Sequence, residues 1–275
     1  MARIWIMTGA SRGLGYAFAE AAAAAGDTVV ATARNPESLK PLVEAYDERI
    51  VPMKLDVTDR ANIAQVIDDT IARFGRIDIL CNNAGYGLRG AVEEASEQQV
   101  RDQMETNFFG AFWMTQAVLP QMRAQTSGHI LQVSSMGGQI AFPLLGVYHA
   151  SKWALEGFSE SLAGEVASFG VKVTIIEPGG FRTDWGGSSM VHADHMEAYS
   201  EHPMRKVNPN APRRSPAGDP AKAAAALMQM LNSDQPAPLR LLMGVTALDM
   251  VQEAYHRRLA ESDRWKVLAR STEAE

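Results

Sequence analysis

Seven short runs rich in Val, Ile and Leu recur along this chain, at residues 3–8, 28–33, 50–55, 77–81, 129–134, 171–176 and 239–243. Each is separated from the next by a longer stretch, most of them amphipathic. Runs of this length with few charges fit strands covered on both faces, and their alternation with helical stretches requires βαβ crossovers. The fold class predicted is α/β, a single doubly wound parallel sheet of about seven strands flanked by helices. Start and stop signals agree. Gly26, Gly75 and Gly170 each follow an amphipathic run, where a left-handed cap favours a residue without Cβ. Asp219-Pro220 reads as an N-cap followed by proline at the first helical position, and Thr58 as the N-cap of the stretch after it.

With 46% hydrophobic and 21% charged residues, the 275-residue chain can bury a large core. No internal repeat or low-complexity linker divides it, so residues 1–275 are expected to form one domain. Two segments break the rhythm. Residues 185–218 have little periodicity, which suits a substrate lid. Residues 245–275 predict a helical extension with an exposed tail. The 26 Lys and Arg against 32 Asp and Glu leave a net charge of −6, a poor match for nucleic acid. Cys81 is the only cysteine, so an intrachain disulfide and a Cys-based zinc site are excluded. No apolar run reaches the length of a membrane span, and the opening MARIWIMTGASRG lacks the apolar core of a signal peptide. A cytoplasmic protein without a membrane partner is expected.

The turn after the first run reads Thr8-Gly9-Ala10-Ser11-Arg12-Gly13-Leu14-Gly15, and an Ala-rich helical stretch follows. Glycines let backbone N–H groups approach a pyrophosphate, and the helix N-terminus adds partial positive charge. Between a first strand and a first helix this pattern points to a dinucleotide in a Rossmann-like sheet. NAD-binding versions carry an acid at the tip of the second strand, for the ribose 2′-hydroxyl. Here that tip reads Thr32-Ala33-Arg34-Asn35. Arg34 and Arg12 would suit a 2′-phosphate, which favours NADP(H) over NAD(H); as a bare strand end, Arg34 would simply be solvated.

Further along stand Tyr148-His149-Ala150-Ser151-Lys152, with Tyr and Lys on one helix face. Ser135 closes the fifth run, Asn107 lies in the helical stretch before it, Asn82-Asn83-Ala84-Gly85 ends the fourth run, and Pro178-Gly179 follows the sixth. TGASRGLG (8–15), Asp56-Val57, NNAG (82–85), Asn107, VSS (133–135), YHASK (148–152) and EPGGFRT (177–183), in this order and spacing, resemble the short-chain dehydrogenase/reductase family over roughly residues 3 to 245. The resemblance implies an oxidoreductase interconverting a carbonyl and an alcohol. Tyr148 would be the general acid or base, and Lys152 would favour its phenolate and bond the nicotinamide ribose. Bringing a phenol from its usual pKa to neutrality takes about 4 kcal/mol. Ser135 would polarise the substrate carbonyl, and Asn107 would hold a relay water. The resemblance places Gly9, Ser11, Arg12, Gly13, Leu14, Gly15 and Arg34 at the cofactor, with Asp56 and Val57 at the adenine. Asn83, Ala84 and Gly85 would run beside the ribose, and Pro178, Gly179, Phe181 and Thr183 beside the carboxamide and pyrophosphate.

Taken singly, each of these residues also has a structural explanation: Tyr148–Lys152 as a surface pair, Ser135 as a turn cap, Asn107 as a helix-bend residue. Cys81 reads as core, and His149 as pointing away from the substrate. His192, His195 and His202 invite a metal, which this chemistry does not need, so none is expected. Arg205, Lys206, Arg213 and Arg214 read as a solvated loop face. Leu88, residues 137–145 and the lid would shape the substrate pocket, and Phe142, Trp185 and Met190 favour a hydrophobic carbonyl or alcohol. Glu177 departs from the family pattern, which often has a small or apolar residue there. Phe108, Phe109, Phe112, Trp113, Trp153 and Phe158 would supply apolar area for a homodimer or homotetramer. An idle NADPH-binding regulator, and an isomerase or dehydratase on the same scaffold, remain the alternatives.

Overall fold

A computed structural model describes residues 2–187, 189–206 and 217–273. The chain begins with β1 (Ile4–Met7), α1 (Gly13–Ala24), β2 (Thr28–Ala33), α2 (Lys40–Tyr46), β3 (Ile50–Lys54), α3 (Arg60–Phe74) and β4 (Ile79–Asn82). It continues through β5 (Gly87–Arg89), α4 (Glu97–Met104), a π-helical turn (Glu105–Phe109), α5 (Gly110–Gln125), β6 (Gly128–Val133) and α6 (Gly146–Val166). Last come β7 (Val171–Pro178), β8 (Met190–His192), α7 (Pro220–Leu231), β9 (Arg240–Met243) and α8 (Val245–Arg270).

Seven strands pair in the order β3-β2-β1-β4-β6-β7-β9, all parallel. They are the seven runs expected, shifted at their ends by a residue or two. Successive side chains of a strand point to opposite faces. Trp5 and Met7 accordingly join Ala17, Phe18, Ala22 and Leu227 in one core, while Ile6 joins Ile63, Met114, Val118 and Leu162 in the other. The small residues of α1 explain its sequence: Ala19, Ala22 and Ala23 are buried, and their size lets the helix lie close to the sheet and to α7.

Several local readings are refined. Asp59, not Thr58, caps α3: its carboxylate accepts from Ala61 N at 2.9 Å and Asn62 N at 3.1 Å. The Thr58 hydroxyl donates instead to Asp56, at 2.7 Å. Asp219 caps α7 as expected, accepting from Ala221 N. Two strands went unforeseen: β5 and β8 form a separate parallel pair, so the start of the expected irregular lid is partly regular. The extension is α8, docked through Ala247, Val251 and Ala254, with every described residue beyond Ala254 exposed. Among the described residues, no helix is long and apolar enough to cross a membrane.

Candidate active site

The strand order reverses between β1 and β4, and ligands of open α/β sheets bind outside the C-terminal strand ends at such a point. A cleft of about 1230 Å³ lies there. Its wall includes Gly9, Ser11, Arg12, Gly13, Leu14, Arg34, Asp56, Val57, Asn83, Ala84, Gly85, Ser135, Tyr148, Lys152, Pro178, Gly179, Phe181 and Thr183. Two expected site residues are not on that wall. Gly15 packs behind the loop, where a Cβ would lie 2.3 Å from Asn83 Nδ2 and 2.5 Å from Gly9 O. Asn107 is buried behind the wall as well.

The glycine loop is held from β4. Asn83 Nδ2 donates to Thr8 O and Gly9 O, both at 3.0 Å, and the Thr8 hydroxyl accepts from Asn83 N and Ala84 N. The asparagine amide therefore positions the loop, while its backbone borders the cleft. Arg12 precedes α1 in extended backbone with no side-chain cap, and no acid stands in the first turn. The first N–H groups of a helix lack intrahelical partners, so an uncapped end facing a cleft is suited to phosphate. Gly9, at φ +66°, occupies backbone that favours glycine, and a Cβ there would come within 3.0 Å of Ala84 Cα. A dinucleotide phosphate fits this cradle.

At the other end of the cleft, Tyr148 is 6% exposed and its ring lies 5.1 Å from that of Trp185. Burial pushes its phenol up to about 12, against a hydrogen bond from Ser135. Lys152 Nζ lies 5.9 Å from the centre of the Tyr148 ring and donates to Val133 O at 2.8 Å. Burial draws Lys152 itself down to about 8, opposed by the charge of Glu156. Ser135 Oγ accepts from Gly137 N at 3.0 Å, so its own hydrogen is left to donate. The Asn107 amide bonds Tyr86 N, Tyr86 O and Ser151 Oγ, at 3.0, 2.9 and 3.1 Å. Both amide hydrogens of this side chain are used in the wall of the cleft.

His149 does not point away. It borders the cleft, its Nε2 accepting from Phe142 N at 2.9 Å and its Nδ1 donating to Gly137 O at 2.8 Å. Both bonds are satisfied only by a neutral ring with the proton on Nδ1. Phe142, Leu145, Trp185 and Val191 give the substrate end an apolar lining, whereas Leu88 and Met190 stand outside it.

One buried carboxylate gathers several groups within residues 190–206, part of the expected lid. Glu94, buried, accepts from Met196 N at 2.9 Å and Ala91 N at 2.7 Å, and faces Arg205 and His195. The Met196 bond is the largest of several effects holding it at about 2. Arg205 is thus paired with buried Glu94, whereas Lys206 is exposed, as expected, and pairs with exposed Glu201; Arg213 and Arg214 lie outside the described residues. No group of three His, Cys, Asp or Glu among the described residues could hold a metal ion. Glu94 lies in none of the motifs, while Thr8 and His149 lie within TGASRGLG and YHASK without their hydrogen-bonding roles being legible there.

The chain belongs to the short chain dehydrogenase family, whose profile matches residues 3–192. It is 45% identical over 276 residues to "Oxidoreductase BOA17" of Botryotinia fuckeliana, covering 98% of each chain. A crystal structure of a short-chain dehydrogenase from Streptomyces avermitilis is 45% identical and superposes with a TM-score of 0.92, over 100% of this chain and 99% of that one. A short chain dehydrogenase from Burkholderia cenocepacia, solved in complex with NADP, is 27% identical with a TM-score of 0.75, over 96% and 97%.

Proposed function

We propose that this oxidoreductase reduces a hydrophobic ketone or aldehyde to the alcohol, with NADPH as the preferred donor and Tyr148 as general acid. The observation that carries the reading is the Tyr148 hydroxyl: buried, protonated, beside Ser135, and in the same cleft as the glycine cradle. A proton-bearing phenol is the form that reduction needs. When bound, the reduced nicotinamide supplies hydride to the carbonyl carbon. Ser135 donates to the carbonyl oxygen and stabilises the charge that gathers there, and Tyr148 delivers the proton that completes the alcohol. Lys152 has three donors, of which Val133 O takes one; the others serve the nicotinamide ribose and the phenolate left after proton transfer. A relay water in this scheme is held by a backbone carbonyl of the widened turn at Glu105–Phe109, because both hydrogens of the Asn107 amide are already used.

Preference for NADP(H) is supported by Arg34, exposed at the tip of β2 and bordering the cleft where an NAD enzyme has an acid. The NADP complex of the Burkholderia relative points the same way. The aromatic and aliphatic lining around Tyr148 supports an apolar substrate.

The test is NADPH and NADH oxidation measured against a panel of hydrophobic ketones, aldehydes and dicarbonyls. At least one carbonyl should be reduced, and faster with NADPH. A protein that binds NADPH but reduces nothing in the panel would be a regulator instead. Product formed without net NADPH consumption would mark an isomerase or dehydratase.

A further inference from the structure

The exit of β6 and one face of α6 meet as two matched rows. Tyr148, Lys152 and Glu156 are four residues apart and project from one side of the helix. Opposite them run Val133, Ser134 and Ser135. Ser135 bonds Tyr148, and Val133 O takes Lys152 Nζ. Ser134 and Glu156 crowd the same point: a methyl on Gly138 would lie 2.6 Å from Ser134 Oγ and 2.8 Å from Glu156 Oε1. The row of two reacting residues thus has a third, acidic member.

Glu156 is 4% exposed, and Glu177 of β7 is fully buried beside it. Arg240 of β9 serves both: its Nε lies 3.2 Å from Glu156 Oε2 and 3.4 Å from Glu177 Oε1. The same guanidinium also bonds Glu160, at 2.8 Å. Glu156 Oε1 and both Glu177 oxygens lack a well-formed hydrogen bond among the described residues, although Ser134 approaches Glu156 and Gln139 approaches Glu177. Two buried carboxylates on one shared cation leave surplus negative charge and acceptors without hydrogens. A single proton between them removes both faults.

We propose that Glu156 and Glu177 are positioning residues that share one buried proton, carried on Glu177 and donated to Glu156, so that a single negative charge stands one helical turn beyond Lys152 and holds its ammonium. The role in reduction rests on the reading of Tyr148 and Lys152 given above; the shared proton does not. Burial, reinforced by the charge of Glu156, raises Glu177 to about 8, and Glu156 is the group that works against burial at Lys152. The pair is faced by Lys152 and Glu160 of α6, Arg240 of β9, and Tyr255 and Arg258 of α8. Gln139 links it to α8, accepting from Tyr255 through its side chain and from Arg258 through its backbone oxygen. This gives the acid at 177 a use that an apolar residue there would not have.

Two measurements on the full-length protein test the proposal, and neither needs activity. Infrared spectra of the parent at pH 7 should contain the C=O stretch of a protonated carboxyl, lost in Glu177→Gln and lost on raising the pH above about 8. Lysine NMR titration, with the Lys152 signal assigned through Lys152→Met, should show its pKa falling by about one unit in Glu156→Gln, where the charge is gone. In Glu177→Gln the amide still donates to Glu156, so the Lys152 titration should stay in place. No carboxyl band in the parent overturns the shared proton, even if Glu156→Gln fails to fold. An unmoved Lys152 titration in a folded Glu156→Gln overturns the positioning role. A parent that shows the band and the shift yet reduces no carbonyl would instead count against the functional reading alone. In an active parent, the alkaline limb of the reduction rate should follow Lys152 to lower pH in Glu156→Gln.

Discussion

The glycine loop and the lid are built in opposite ways around one cleft. The loop is held by backbone and by space: Asn83 donates to two carbonyls of the turn, and Gly15 leaves no room for a methyl. Residues 190–206 and their surroundings are held by the short β5–β8 pair and by buried charge. Glu94 gathers Met196 and Arg205 from more than a hundred residues away, and Arg240 reaches Glu156 across 84. A cradle of backbone amides tolerates almost no change of side chain and suits an invariant phosphate. A segment fastened by a few ion pairs can differ in every other residue, which suits the part that meets the substrate.

Substitutions at the two ends of the cleft should therefore fail differently. Tyr148→Phe keeps the ring against Trp185 but removes the acid, and turnover should fall about 10³-fold, or ~4 kcal/mol, with NADPH binding retained. A loss under tenfold would take the proton donor elsewhere. Acid should act on the sheet beneath. His129, buried in β6 with Nε2 2.9 Å from Thr174 Oγ1, is drawn down to about 4, chiefly by burial. Its neutral form is favoured in the folded state, so the stability it contributes is intact above about pH 6.5 and is lost as pH falls toward 4, about 3 kcal/mol in all. Urea unfolding at pH 7 and 4.5 measures this, and His129→Gln should flatten the difference.

Gly15→Ala should cost about 2 kcal/mol through the forced shift of Asn83 and Gly9, with weaker NADPH binding and little change in substrate KM. Were KM to move instead, the division of labour drawn here would be wrong. Arg34→Asp should swing the NADPH-to-NADH ratio of kcat/KM by about tenfold, because repulsion replaces attraction at the 2′-phosphate. The smallest effect is expected at the lid. Glu94→Gln keeps an acceptor but loses the charge facing Arg205, so substrate KM should rise severalfold while kcat stays near the parent value.

The Tyr148–Lys152 row and the glycine loop could be picked out in the chain because each is a local pattern. Tyr148 and Lys152 share a helix face by spacing alone, and Gly9 to Gly15 sit where a strand must turn into a helix. The places where that reading fell short have a common cause. β5 and β8 have three residues each, too few to show a period, and they exist because they pair with one another. His149 follows Tyr148 on the helix, yet the loop at Gly137 and Phe142 folds back to meet both of its nitrogens. The partners of the Asn107 amide, Tyr86 and Ser151, are likewise brought to it only by the fold.

What the amino-acid order determined by itself is the architecture: short continuous apolar runs, longer amphipathic runs with period 3.6, and glycine at the turn where backbone must approach closely. These depend on neighbours a few residues apart, so they can be read along a line. The tertiary structure alone decided charge. Tyr148 near 12, Lys152 near 8 and Glu177 near 8 are set by burial and by partners from distant strands and helices. The free energy of an ionised group depends on the water removed around it and on the charges brought beside it, and both exist only once the chain has closed.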